Sequence, residues 1–471
     1  MHVPMKGIGK YRPPRFITQL VSVISGGRLL CWRPFLTLWV FSSVLTMLVS
    51  CGVYRSFVLV FSVLLFIELP VCAQQNPGAL GPLQFEKEIV KAALEAAREL
   101  EPVVIDDQVA LCEIPAPPFA ESVRAEAYRE RFERLGLTDV RIDAVGNVIG
   151  VRAGEQRRPN LVMSAHLDTV FPQETDVTVV REGTILKGPG IGDDCRGLAV
   201  LLGVIRALDT AGLTTTGSIT FVGTVGEEGL GDLRGVKHLF STELAGQIDR
   251  FVSIDGPGLG ITNGAIGSIR YRVTFRGPGG HSFGAFGLAS PVHAVGRFIS
   301  NVSDFEVPDI PRTTFTVGRV GGGTSVNAIA SEAWAEIDLR SSDVAALERL
   351  QLMLLRAVDH ALAAENRRWG RGSSLTVDVS NIGERPAGLM DPSTAIVRTA
   401  RSVSEVLGIR SRLFSGSTDA NIPISLGIPA ITIDGGGSGT GAHSEQEIFD
   451  TANSTQGTLR ATLLAVALTE P

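Results

Sequence analysis

The sequence predicts an α/β fold in which a mainly parallel sheet is covered by helices and interrupted by an inserted α+β segment. From Leu161 to Ile254, short apolar runs alternate with helical stretches, which is typical of parallel strands joined by crossover helices. Near Gly267 the pattern changes to strands in which apolar and polar residues alternate. From Ser393 onward the first pattern returns. We therefore expect the first unit to be split by the second.

These changes of pattern give the expected boundaries. Residues 1–73 form a targeting segment, residues 74–267 and 386–471 the two parts of the main unit, and residues 268–385 the insertion. A chain of 471 residues, 44% hydrophobic and 20% charged, is long enough for about two or three globular units.

The apolar spacing predicts the elements of the first part in order. Phe85 to Leu100 and Glu121 to Leu135 have the spacing of amphipathic helices, and short strands follow around Val140 and Val148-Ile149. A further helix is expected from Leu198 to Leu208, directly after two acids that can cap it.

The insertion is expected to combine half-buried strands with two helices and to end in a polar linker and a last strand. Its expected strands are Ile269–Phe275, Thr313–Val317, Ala333–Leu339 and 375–377, its helices are Pro291–Val302 and Asp343–Ala364, and its linker is 366–374.

The front of the chain is typical of an export signal. Seven Lys and Arg stand against one acid in residues 1–73, and two apolar runs, Phe35 to Val49 and Phe57 to Leu69, precede small residues up to Ala73. This order predicts cleavage after Ala73 and a periplasmic or secreted protein. In an alternative interpretation, Leu48-Val49-Ser50-Cys51 is a lipoprotein box that leaves an acylated Cys51 and a membrane anchor. An uncleaved leader would also anchor the chain.

The remainder of the chain is acidic. Its net charge of −12, beside +6 in residues 1–73, argues against nucleic acid as a partner. Cleavage after Ala73 would leave only Cys112 and Cys195. Two thiols provide no disulfide framework, and we expect both to be reduced and buried.

Five motifs carry imidazole or carboxylate groups close behind apolar or Gly-rich runs. Several follow an expected strand, and the carboxyl ends of parallel strands meet at the edge where ligands collect in an α/β sheet. Together they supply enough N and O ligands for two metal ions. The motifs are His166-Leu167-Asp168-Thr169, Asp193-Asp194, Glu227-Glu228, Asp255-Gly256 and Gly441-Ala442-His443-Ser444.

Each motif also has an ordinary structural interpretation. Asp193-Asp194 alone would fit a helix cap, and Glu227-Glu228 alone would fit two solvated charges. His166 and Asp168, however, share one face of a strand, where Asp168 can accept the spare imidazole N–H of His166. The coincidence of all five motifs favours a metal site.

These motifs resemble the di-zinc exopeptidases and deacylases that include peptidase T, carnosinase, acetylornithine deacetylase and succinyl-diaminopimelate desuccinylase. The resemblance covers about residues 88–468. It rests on the five motifs, on the Gly-rich residues 188–197 around Asp193, and on further matches at Gly280-His281-Ser282, Asn327, Asp338-Leu339-Arg340 and Gly416-Ser417-Thr418-Asp419.

The resemblance implies a role for each candidate in a pair of metal sites. Asp193 would bridge the two metals, with His166 and Asp255 completing one site and Glu228 and His443 the other. Glu227 would be the general base, while Asp168 would support His166. The mixed N and O ligands suit two Zn²⁺, with Co²⁺ or Mn²⁺ as possible replacements. Because Asp194 is also acidic, it stays an alternative to Asp193 as the bridge.

In such proteins the inserted segment is a lid that also forms the dimer contact. By resemblance, His281 reaches the reacting oxygen, in dimeric members from the partner subunit. Asn327 and Arg340 resemble the residues that hold a substrate carboxylate. A homodimer through the insertion is therefore expected, and closure of the insertion would be part of catalysis.

The sequence thus favours an exported metallopeptidase that cleaves short peptides, of the di- or tripeptidase or aminopeptidase type. An N-acyl amino acid deacylase would use the same centre. A single-domain di-zinc aminopeptidase is a further alternative, but it would lack the matches in the insertion. A non-catalytic binding protein is the weakest alternative, because no ligand and no base is missing.

Overall fold

The structure, a computed structural model, describes Phe85 and residues 87–471. The expected leader, with its cleavage site at Ala73 and the lipoprotein-like Cys51, lies outside the described residues. Within the described part of the chain, no helix has both the length and the apolar character needed to cross a bilayer.

The strands are numbered in chain order over the described residues. They are β1 (Thr138–Ile142), β2 (Val148–Arg152), β3 (Leu161–His166), β4 (Val180–Glu182), β5 (Ile185–Lys187), β6 (Ile219–Thr224), β7 (Arg250–Ile254), β8 (Ile261–Ala265), β9 (Gly267–Arg276), β10 (Gly280–His281), β11 (Thr313–Gly322), β12 (Ala328–Ile329), β13 (Glu332–Ser341), β14 (Thr376–Arg385), β15 (Gly388–Leu389), β16 (Leu413–Gly416), β17 (Ala430–Ile433), β18 (Ser438–Thr440) and β19 (Ile448–Asp450).

The helices are numbered in the same way, and a short 3₁₀ turn, Gly229–Gly231, and a π turn, Leu239–Glu243, accompany them. They are α1 (Glu88–Glu99), α2 (Glu101–Cys112), α3 (Ser122–Arg134), α4 (Cys195–Thr210), α5 (Arg234–His238), α6 (Pro291–Ser303), α7 (Val344–Arg368), α8 (Ala395–Val406), α9 (Asn421–Ser425) and α10 (Thr455–Ala467).

The main sheet has a parallel centre and antiparallel margins. Among the described residues it contains nine strands in the order β1-β2-β6-β3-β7-β17-β8-β15, with β16 beside β8. The neighbours β6, β3, β7 and β17 run parallel. Strands β1, β2, β8 and β15 pair antiparallel with their neighbours in this order, and β16 pairs parallel with β8. Strands β3, β6 and β17 are buried along their whole length, as expected for parallel strands covered by helices. The predicted α/β fold is confirmed.

Helix α2 is an element that periodicity did not reveal. It buries residues on several faces, because Leu111 packs in the main core while Ile105 and Cys112 pack against Leu186 and Phe449. A helix enclosed on several sides has no single apolar stripe, so its sequence lacks the usual amphipathic signal.

A second sheet lies in residues 267–385 and has its own hydrophobic core. It is antiparallel throughout, in the order β11-β13-β9-β14. Helices α6 and α7 contribute Phe298 and Leu354 to that core, beside Phe275 and Leu339 of the strands. Each strand is ten residues long, longer than the expected runs, and α7 extends through the first part of the expected linker to Arg368.

Candidate metal centre and active site

His166 ends β3 at the carboxyl edge of the main sheet, with its two ring nitrogens facing different partners. Nδ1 lies 2.9 Å from the main-chain oxygen of Asp168, and Nε2 lies 3.0 Å from Oδ1 of Asp193. A carbonyl oxygen can only accept, so Nδ1 carries the proton of the neutral ring. The lone pair on Nε2 is therefore directed at the Asp193 side, as a metal-binding imidazole requires.

Asp193 stands between two groups of possible ligands. Its Oδ1 faces His166, whereas its Oδ2 lies 3.2 Å from Nε2 of His443. Nε2 of His443 is also 2.9 Å from Oε1 of Glu228, and Oδ1 of Asp255 lies 3.9 Å from Nε2 of His166. The five side chains thus form two groups that share one carboxylate.

Asp194 is directed away from these groups. Its side chain is buried, and it accepts the main-chain N–H groups of His166 at 3.1 Å and Gly197 at 3.0 Å. It thereby caps the N-terminus of α4. Because its oxygens are used by the backbone, the geometry favours Asp193 as the shared carboxylate.

Asp168 does not have the hydrogen bond that we expected from the sequence. Its carboxylate lies 3.9 Å from Nδ1 of His166. Nδ1 instead donates to the main-chain oxygen of Asp168. The carboxylate accepts the N–H groups of Glu227 at 3.1 Å and Glu228 at 2.8 Å. That expectation was wrong because β3 ends at His166. The carbonyl of Asp168 therefore faces the imidazole, and its carboxylate faces the turn that carries Glu227 and Glu228, here called the acidic turn.

Glu227 and Glu228 follow β6 and are both buried. Oε1 of Glu227 accepts a hydrogen bond of 2.9 Å from Nη1 of Arg385, and Nη2 of the same arginine donates to the main-chain oxygen of Glu227. Burial raises the pKa of Glu227 well above its usual value, while Arg385 opposes that rise. Glu227 therefore lies beside the ligand groups, and its own hydrogen-bond partner is Arg385.

Glu447 is a site residue that the motifs did not reveal. Its buried carboxylate accepts the N–H groups of Gly190 at 2.9 Å, Gly192 at 2.8 Å and Asp193 at 3.1 Å. The pairing of β19 with β5 brings it to this loop. A Cβ on Gly192 would lie 2.9 Å from Oε1 of Glu447, which explains the glycine there. Glu447 is separated from Gly190 by 257 residues, so no local spacing signalled the contact.

A cavity of about 490 Å³ opens over the ligand groups. Part of its lining, here called the acidic wall, consists of Asp193, Glu227, Glu228 and Asp255, and His443 also lines the cavity. Another part, here called the basic wall, comes from the second sheet. Its members are Arg270, Arg340 and Arg385.

The basic wall is organised around Asp338 on β13. Oδ1 of Asp338 accepts a hydrogen bond of 3.1 Å from Arg270, and Oδ2 accepts one of 2.6 Å from Arg340. Arg340 keeps its two terminal nitrogens free of any hydrogen bond within the described residues, and its side chain is 40% exposed. This guanidinium can therefore offer a fork to a carboxylate in the cavity.

The structure does not bring His281 or Asn327 to the cavity of the same chain. Both are exposed and lie on the short ribbon formed by β10 and β12, where Ser282 donates its N–H to the Asn327 carbonyl at 2.9 Å. Neither lines the cavity. The two residues are therefore neighbours on this ribbon.

The charges of the centre fit those of a site for divalent cations. Burial, with Asp193 nearby, raises the pKa of Asp255 to about 7. Hydrogen bonds to Asp193 and Glu228 raise the pKa of His443 to about 10. Burial alone would lower the pKa of His166, but Asp193, Asp194 and Asp255 raise it well above its usual value. Carboxylates packed this densely repel one another unless positive charge lies between them, so the donor set fits bound divalent cations.

The acids in a second group of possible ligands, Asp143, His238 and Glu243, already have other partners. Glu243 is already paired with Arg141, whose Nη2 lies 2.8 Å from Oε1. Oδ1 of Asp143 accepts three main-chain N–H groups of residues 145–147. These acids stabilise a turn, and we assign no metal to them.

Sequence comparisons match this chain to a protein family and to individual relatives. The model of peptidase family M20/M25/M40 matches residues 162–466. YqjE of Bacillus subtilis, itself uncharacterised, is 24% identical over 70% of this chain and 89% of its own length. Succinyl-diaminopimelate desuccinylase of Leptothrix cholodnii is 24% identical over 59% of this chain and 73% of its own.

Solved structures share the fold. A tripeptidase from Staphylococcus aureus superposes with a TM-score of 0.63 at 23% identity, over 78% of this chain and 97% of its own. YXEP of Bacillus subtilis, described as a dinuclear metal-binding peptidase of the M20 family, gives a TM-score of 0.58 at 17% identity, over 79% and 99%.

Proposed function

We propose a substrate class and a set of residue roles for this chain. The chain belongs to peptidase family M20/M25/M40 and is a metal-dependent hydrolase. The reaction is the hydrolysis of an amide bond in a short peptide that ends in a free carboxylate. One observation carries the proposal: two ligand groups share Asp193, and Glu227 lies beside them on the same cavity wall.

The metal ligands follow from that geometry. His166 and Asp255 would hold one ion and Glu228 and His443 the other, with Asp193 between them. A mixed set of imidazole and carboxylate ligands suits Zn²⁺, and Co²⁺ or Mn²⁺ would fit the same donors. When bound, two such ions polarise the substrate carbonyl and lower the pKa of a water molecule near neutrality.

The chain's own residues perform the proton transfers. Glu227 takes a proton from the attacking water through its free carboxylate oxygen and then delivers it to the leaving amine. Asp168 fixes the main-chain N–H groups of Glu227 and Glu228, so the base and a ligand keep a constant separation. Arg340 binds the terminal carboxylate of the substrate across the cavity.

The second sheet would act as a lid. We treat residues 268–385 as an inserted unit that closes over the cavity and dimerises, so that His281 and Asn327 of the ribbon enter the site of the partner subunit. Their exposure and their absence from the cavity of their own chain support this. Export through residues 1–73 would place the enzyme where it can scavenge peptides.

A deacylase of N-acyl amino acids is the second candidate, favoured by the matching desuccinylase. It would use the same metal centre and the same contact between Arg340 and the substrate carboxylate. Its substrate would differ from a peptide only in the acyl group of the amide. A single-domain aminopeptidase fits less well, because the second sheet supplies the basic wall. A binding protein without catalysis fits least, because ligands and base are all present.

A substrate panel separates these candidates. The zinc-loaded protein is offered dipeptides, tripeptides, their C-terminal amides and N-acyl amino acids, and released amines are quantified with and without a chelator. We expect chelator-sensitive release from peptides with a free carboxylate and little release from the amides. Faster turnover of N-acyl amino acids would favour the deacylase, and no release from any compound would contradict the proposal.

A further inference from the structure

Arg385 belongs to the second sheet but contacts the acidic turn of the main sheet. It is the last residue of β14 and pairs in register with Ser268 at the start of β9, so it lies where the chain passes between the two sheets. Its side chain is buried, and its Nη1 lies 2.9 Å from Oε1 of Glu227. The contact joins the base to the point where the lid is attached.

The guanidinium of Arg385 is held on several sides. Nη1 also donates to Oγ of Ser417 at 3.0 Å, and Nη2 donates to the main-chain oxygen of Glu227. The arginine is therefore hydrogen-bonded to both the side chain and the backbone of Glu227. A planar guanidinium group with two such bonds fixes the direction of the carboxylate, which one exposed ion pair could not do.

Other contacts connect the same turn to the same two strands. Arg270 on β9 donates to the main-chain oxygen of Gly229 at 2.5 Å. Glu384 on β14 donates its N–H to Oδ1 of Asp232 at 2.8 Å, and its carbonyl accepts from Lys237 at 2.7 Å. The segment from Glu227 to Lys237 is thus docked on β9 and β14 along its length, so its position depends on the second sheet.

We propose that Arg385 is a positioning residue for Glu227: it holds the carboxylate in the direction needed for proton transfer and makes that direction depend on the seating of the second sheet. The inference rests on the proposed role of Glu227 as the base. In this proposal Arg340 binds the substrate carboxylate, and Arg385 does not contact it.

Steady-state kinetics distinguish positioning from substrate binding. In Arg385→Gln we expect kcat to fall about 100-fold, because a small displacement of a catalytic group costs that much, while KM changes by less than about threefold. Arg385→Lys keeps the charge and one contact, so its kcat should lie between those of wild type and Arg385→Gln. Metal content should equal that of wild type in both variants.

Arg276→Gln is the matched control. Arg276 lies on β9, forms a surface ion pair with Glu332 and does not line the cavity, so kcat and KM of this variant should be unchanged. Deuterium uptake of the peptide spanning residues 226–238 should rise in Arg385→Gln and stay at the wild-type level in Arg276→Gln.

Three results would overturn the inference: a raised KM with kcat retained, a kcat of Arg385→Gln within about threefold of wild type, or an Arg385→Lys variant no faster than Arg385→Gln. If Arg385→Gln does not fold, the split between kcat and KM in Arg385→Lys decides. Glu227→Gln is measured in parallel. Wild-type turnover there would remove the proposed base, whereas an inactive Glu227→Gln beside an active Arg385→Gln would remove only this inference.

Discussion

The acidic and basic walls of the cavity are built in different ways. On the acidic wall, the loops that carry the acids are held through their backbone. Asp168 accepts two N–H groups of the acidic turn, and Glu447 accepts three N–H groups of the loop before α4. On the basic wall, the arginines are held by acids, with Asp338 between Arg270 and Arg340.

This difference separates chemistry from recognition. Buried carboxylates that accept main-chain N–H groups hold the loops of the acidic wall, which suits a centre that must keep fixed distances between ligands. On the basic wall, Asp338 joins Arg270 to Arg340, and Arg385 is hydrogen-bonded to Glu227 of the acidic wall. We infer that the main sheet carries the reaction, whereas the second sheet selects the substrate and seats the base.

The sharpest way to break this division is to remove the base alone. Glu227→Gln keeps the shape of the acidic wall, so both metals should remain while kcat falls roughly 100- to 10,000-fold. Elemental analysis beside a rate assay measures both. Glu228→Gln is the matched control, because loss of a ligand should reduce metal content as well as rate. Unchanged turnover in Glu227→Gln would refute the base assignment.

Removal of a basic-wall contact should affect binding rather than rate. In Arg340→Gln, KM for a peptide with a free carboxylate should rise about 10- to 100-fold, since a charge-assisted hydrogen bond is lost. The C-terminal amide of the same peptide should respond little. Arg319→Gln on β11, an exposed arginine paired with Glu336, serves as the control. An equal effect on acid and amide would show that Arg340 does not bind the carboxylate.

The acidic wall should also weaken when its support is removed. Glu447→Gln loses a charged acceptor for the loop that carries Asp193, so metal affinity should fall by about tenfold, as is usual when a residue behind a metal ligand is changed. Competition with a chromophoric chelator measures the dissociation constant. Glu445→Gln, exposed and two residues away, should leave it unaltered. Equal affinity in both variants would contradict the support role.

The smallest expected effect is the pH dependence of stability without metal. The pKa of Asp255 rises from 3.8 to about 7 and that of His443 from 6.5 to about 10. Between the unfolded and folded values the native state holds protons that the unfolded chain has lost, so stability falls as pH rises through that window.

Bound metal keeps these ligands deprotonated, so it should remove that slope. The gap in Tm between zinc-loaded and chelator-treated protein should therefore widen by several degrees from about pH 5 to about pH 9. Scanning fluorimetry at intermediate pH values measures it. A gap that stays constant or narrows would mean that Asp255 and His443 do not bind the ions.

The sequence predicted the acidic wall better than the basic one for a physical reason. His166 ends a strand of the parallel centre, Glu227 and Asp255 follow two others, and parallel strands bring their carboxyl ends together whatever lies between them. The periodicity of the strands was therefore enough to bring those residues to one edge.

Contacts between distant segments carry no such periodicity. Glu447 and Arg385 reach their partners through the pairing of β19 with β5 and through the position of the second sheet, and neither follows a recognisable motif. Asp168 was expected on the strand face of His166, but β3 ends at His166, and the carbonyl of Asp168 rather than its carboxylate faces the imidazole. Single-residue geometry of this kind is decided by tertiary structure.

Anomalous diffraction from crystals grown with zinc tests the shared carboxylate most directly. We expect two peaks in each chain, on either side of Asp193, one beside His166 and Asp255 and the other beside Glu228 and His443. A single peak, or a pair of peaks that does not flank Asp193, would contradict the two-metal centre from which the proposed reaction follows.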